Sequence, residues 1–137
     1  MWWLYALLSA LFAALTTIFG KIGVKDIDSN LATAIRTVVV LILAWTIVLF
    51  RSSMQDVTSI PRRSFLFLVI SGLCTGASWL FYYRALQEGN ASSVAAIDKT
   101  SLPMIFILSA IVLSEPLTLK TALAGILIAA GTFVLLL

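Results

Sequence analysis

The side chains best equipped for chemistry stand together: Asp98, Lys99, Thr100 and Ser101, inside an otherwise apolar stretch from Asn90 to Glu115. An acid, a base and two hydroxyls in sequence can bind a polar solute, pair with other charges or carry a proton. The apolar run that follows, Leu102 to Leu113, is too short to cross about 30 Å of hydrocarbon alone. The tetrad is therefore expected at membrane depth, where facing lipid is costly for a charge and an ionisable residue marks a functional site. Pro103 has no N–H to give the carbonyl of Lys99, so a free backbone acceptor and a helix bend are expected beside the charges.

The rest of the chain must position this cluster. Of 137 residues, 61% are hydrophobic and 11% charged, too little charge to cover the surface of a soluble domain. The fold class expected is all-α integral membrane, because lipid demands that every backbone polar group be satisfied within its own segment. Five transmembrane helices of about 20 residues each account for most of the length and leave no room for a soluble domain. The net charge of +3 comes with no basic patch interleaved with aromatics, so nucleic acid is not an expected partner. There is no histidine, and Cys74 alone builds neither a disulfide nor a metal site; a small buried side chain is its expected role. No cofactor is expected. The N-terminus lacks a basic region before its apolar run, so the first segment is expected to remain as a membrane helix.

In chain order the spans fall at about 2–20, 31–50, 65–87, 91–113 and 119–137, forming one transmembrane domain over 1–137. Span one carries Trp2, Trp3 and Tyr5 at its start, suited to the interface, and a small-residue stripe of Ser9, Ala13, Thr16 and Gly20. Asp28, Ser29 and Asn30 are N-cap candidates for span two. That span holds one charge, Arg36, about 9 Å in, which either snorkels or takes a partner inside the bundle. Arg51 to Ser64 is the longest connection. In span three Gly72 and Gly76 permit close backbone approach, and Trp79 and Tyr83 continue their face as core packing or as the wall of a substrate pocket. After span four, Thr118 is the expected cap of span five, and Glu115 at a helix C-terminus calls for a basic partner such as Lys120 or an arginine of the long connection. Span five carries the small residues Ala122, Gly125, Ala129 and Thr132.

Basic residues favour cytoplasmic connections. Placing Arg51, Arg62, Arg63 and Lys120 inside, against Lys21, Lys25 and Arg84 outside, gives a cytoplasmic N-terminus by a small margin. Arg36, Arg84, Asp98 and Lys99 then share the outer half of the membrane, the last two about 10–12 Å deep. Asp98 is expected to pair with Arg36, leaving Lys99 facing a cavity.

Four segments together resemble an EamA-type domain of the drug/metabolite transporter superfamily: WLFYYRAL from Trp79 to Leu86, AIDKTS from Ala96 to Ser101 with Pro103, the SEPLT turn from Ser114 to Thr118, and the stretch Gly125 to Gly131. The resemblance covers essentially the whole chain. It implies one five-helix half of an inverted-repeat transporter architecture that moves small metabolites or amino acids by alternating access. It also implies pairing of halves through the last helix, which maps onto Gly125, Ala129 and Gly131. Small multidrug resistance proteins, a related group, use an acid in their first helix; span one here has none, so that mechanism does not carry over.

The expected function is a secondary transporter of small organic solutes in the bacterial or archaeal cell membrane, working as a homodimer, antiparallel or parallel, or as a paired half-transporter. Candidate substrate contacts are Lys99, Asp98, Arg36, Trp79, Tyr83, Thr100 and Ser101, with Pro103 as hinge. The competing expectation is a non-transporting membrane scaffold, in which the charges lock helix register. No nucleophile and base stand together, so no catalytic residue is assigned and an enzyme is not expected.

Overall fold

The computed structural model describes residues 1–50 and 60–135. The regular elements described are all helical: α1 (Trp2–Gly23), α2 (Ser29–Phe50), α3 (Arg62–Glu88), α4 (Ala91–Asp98), α5 (Ser101–Val112) and α6 (Leu119–Val134). Arg51 and the chain end at Leu137, both used in the expectations above, lie outside the described residues.

Four stretches are long and apolar enough to cross a membrane: α1, α2, α3, and Ala91–Val112, which contains α4 and α5; α6 is a shorter apolar helix. The fold is thus all-α, with five membrane helices of which the fourth is interrupted. The helix starts follow local chemistry. Asp28 caps α2, its Oδ1 accepting from the N–H groups of Asn30 at 2.9 Å and Leu31 at 3.1 Å. Thr118 caps α6 by accepting from the Thr121 N–H at 3.2 Å. At α3 the helix begins earlier than the apolar pattern, at Arg62, because the Phe65 N–H already closes a turn onto the Pro61 carbonyl at 3.0 Å. Arg62 and Arg63 therefore belong to the helix and not to the connection. The Arg63 guanidinium lies 5.9 Å from the centre of the Phe67 ring, so its stem runs along the helix surface.

The chain forms two compact units, Phe19–Gln87 and Met1–Ile18 with Glu88–Leu137. In the first, the end of α1, the start of α2 and the end of α3 meet around Val24 and Leu86, whose side chains are fully buried. Gly20 makes the close approach possible: a Cβ there would stand 3.2 Å from the Tyr83 hydroxyl oxygen. The Lys21 ammonium donates to the Leu86 carbonyl, one of the last carbonyls of α3, where the helix dipole favours a cation. The Gln87 amide donates to the carbonyls of Val24 at 3.1 Å and Ile27 at 2.6 Å. Two carbonyls of the α1–α2 connection are thus satisfied by one side chain from α3.

In the second unit α6 packs on α4 and α5. Gly125 is buried there, and a Cβ on it would lie 3.3 Å from the Phe106 ring and 3.7 Å from Pro103. Thr132, also buried, reaches across to α4. α5 ends at Val112 with Leu113 as its C-cap; the next residue, Ser114, takes a left-handed backbone (φ 56°) and lets the Glu115 N–H return to the Ser109 carbonyl at 3.3 Å.

Candidate functional site

In the unit Phe19–Gln87, Trp79 and Tyr83 stand one turn apart on α3 and share a face. Arg36 on α2 lies over that face, its Cζ 4.2 Å from the centre of the Trp79 ring and 5.5 Å from that of Tyr83. Arg36 is half-buried, Trp79 half-buried and Tyr83 buried. A guanidinium over aromatic faces gains about 0.5–2 kcal/mol per ring, more as water is excluded. Three of the residues expected to contact substrate are therefore brought together.

The other unit holds Asp98, Lys99, Thr100 and Ser101 at the junction of α4 and α5. The helix is broken at Lys99–Thr100, whose N–H groups reach back to Ala96 and Ile97 in tight turns. The Lys99 ammonium stands 3.7 Å from the Asp98 carboxylate, and both side chains are exposed. The Thr100 hydroxyl donates to the Ile97 carbonyl at 2.7 Å; Ser101 is exposed. Two expectations need correction here. The Lys99 carbonyl is not free, because the tightened chain lets Leu102 donate to it at 3.0 Å. The interruption also precedes Pro103, which lies in the first turn of α5, where a missing N–H costs least.

Among the small residues, position decides role. Gly125 is covered by Phe106 and Pro103 of its own unit, whereas Ala129 and Gly131 are exposed and a Cβ on Gly131 would meet nothing. Gly72 and Gly76 also have open space, and Cys74 between them is exposed, contrary to the buried role expected of it. Of the two residues that seal α3 to the α1–α2 connection, Lys21 counted in the sequence only toward the charge bias and Gln87 only as the end of a span. Their polar ends find backbone carbonyls more than fifty residues away, a pairing that no local pattern signals.

An interrupted apolar helix carrying exposed charges, within five helices suited to a membrane, accords with what the chain resembles. The sequence profile of the EamA-like transporter family matches residues 1–137. The chain belongs to that family. This EamA-like protein is also 49% identical over 134 residues to an "Uncharacterized transporter in cobO 3'region" of Sinorhizobium sp, covering 98% of this chain and 95% of that one. No solved structure matches the chain. As a member of the EamA-like family it is a multi-pass membrane protein and a transporter.

Proposed function

We propose that this chain is a secondary transporter of small metabolites, amino acids or other small organic solutes, working by alternating access as a dimer. Its place is the cell membrane of a bacterium or archaeon, with the N-terminus in the cytoplasm. The observation that carries this reading is the break at Lys99–Thr100, which leaves Asp98 and Lys99 exposed about 10–12 Å along an apolar span. Each such charge costs about 2.5–3.5 kcal/mol against lipid, so a water-filled path is the environment that fits them. A discontinuous helix at the midplane is also how many secondary transporters form their sites. Lys99 is the first contact for substrate, with Asp98, Thr100 and Ser101 beside it, and Arg36 with Trp79 and Tyr83 as a second group. Pro103, at the start of α5, lets α4 and α5 change angle. Dimer packing falls to the exposed small residues of α6, Ala129 and Gly131.

The test uses proteoliposomes loaded with a mixed pool of small metabolites, with depletion followed by mass spectrometry. Wild-type protein depletes selected members, and Lys99→Met stops depletion while keeping the same melting profile in detergent. Depletion unchanged in Lys99→Met would overturn the role of Lys99. Cysteines at Ser92, Thr100 and Ser101 separate transporter from scaffold: a scaffold protects all three from aqueous thiol reagents, whereas a transporter leaves at least one reactive. Tags at both termini read topology. A mixed population supports an antiparallel homodimer, and a single orientation excludes it.

A further inference from the structure

Arg36 lies seven residues past the start of α2, about 10 Å along the helix. A snorkelling arginine at that depth would extend toward the nearer helix end. Here the nearer end is where α2 begins and α3 finishes, as the Gln87 bonds to Val24 and Ile27 show. Tyr83 is the ring closer to that end and Trp79 lies a turn deeper. The guanidinium is nearer Trp79, 4.2 Å against 5.5 Å, so the side chain is held over the deeper ring. Ring faces attract a cation but carry no net charge to balance it. Among the described residues of its own unit, Arg36 has no carboxylate at ion-pair distance. Within that unit its guanidinium lies against the two rings. The group is thus a fixed, half-buried positive charge whose fork of N–H donors matches an oxyanion, beside aromatic surface for the apolar part of a solute.

We propose that Arg36, Trp79 and Tyr83 form a subsite for the carboxylate of a small organic anion. Arg36 takes the carboxylate, and Trp79 and Tyr83 orient the guanidinium and line the apolar portion. This rests on the transport reading above and names the solute class it carries. It also gives Arg36 a task different from pairing with Asp98.

Equilibrium binding tests it apart from transport. The full chain is placed in phosphatidylcholine nanodiscs with Trp2, Trp3 and Trp45 changed to phenylalanine, so that fluorescence reports Trp79. Titration with benzoate, benzylamine and benzyl alcohol compares anion, cation and neutral solutes of similar shape. Benzoate is expected to change the emission, benzylamine and benzyl alcohol little, and Arg36→Gln to weaken benzoate about 10- to 100-fold. Where Arg36→Gln fails to fold, Arg36→Lys carries the test: it keeps the charge but loses the fork, so benzoate weakens several-fold and selectivity over benzylamine persists. An equal response to benzylamine, no response to benzoate, or unchanged affinity in the foldable variant overturns the subsite. So does a benzoate response abolished by phosphatidylglycerol, which assigns the guanidinium to lipid headgroups. Binding without metabolite depletion in proteoliposomes would defeat the transport reading and leave the subsite standing; depletion without benzoate binding would do the reverse.

Discussion

The Thr132 hydroxyl lies 3.1 Å from the carbonyl oxygen of Ala96 and 3.0 Å from that of Ile128. One O–H thus stands between its own helix and the end of α4, two residues before Asp98. Ala96 also receives the Lys99 N–H at 3.1 Å, so the tether acts on the carbonyl where the interruption begins. Because Thr132 is buried, no water replaces its contribution cheaply.

Thr132→Val should therefore destabilise the protein by about 1–2 kcal/mol, the cost of a buried hydrogen bond and its orphaned acceptor. Thr132→Ser, which keeps the hydroxyl, should recover most of that loss. Chemical denaturation in mixed micelles measures both, and equal stability of the valine and serine variants would remove the tether from the account.

At the other unit, Gln87→Ala strips two carbonyls of the α1–α2 connection of their donor. A loss of about 1–3 kcal/mol is expected, with limited proteolysis cutting first between Val24 and Asp28. Lys21→Met should act in the same place, since it removes the cation from the last carbonyls of α3. If neither variant increases cleavage in that connection, the side chains are not what holds it.

Ser114 takes a left-handed backbone, which costs a residue with a Cβ about 1 kcal/mol. Ser114→Gly should raise the melting temperature and Ser114→Val should lower it. The opposite order would mean that the Ser114 side chain itself supports the turn.

Gly125 and Gly131 differ in surroundings, so bulk at each should fail differently. Gly125→Leu drives a side chain into Phe106 and Pro103 and should destabilise the folded chain by about 1–3 kcal/mol. Gly131→Leu meets open space, so folding should survive while any association through α6 weakens. Melting curves and subunit counting by single-molecule photobleaching in nanodiscs read the two effects. A Gly131→Leu variant that keeps wild-type subunit number would remove this face of α6 from the interface.

Much of the architecture is local in origin and legible in the sequence alone. Apolar length sets the membrane helices, because backbone groups in lipid have only the helix to satisfy them. Asp28 and Thr118 announce their helices because a cap bonds within two or three residues. The interrupted span shows itself as charge inside an apolar run, and Trp79 and Tyr83 share a face by simple helical spacing. What only tertiary structure decides is which carbonyl, ring or glycine a side chain meets. Arg36 lies over the rings, Gln87 and Lys21 find carbonyls far along the chain, and Gly125 is inside while Gly131 is outside. Those outcomes turn on the rotation and offset of one helix against another. A one-residue rotation, about 100°, would exchange them without altering the apolar pattern of either helix.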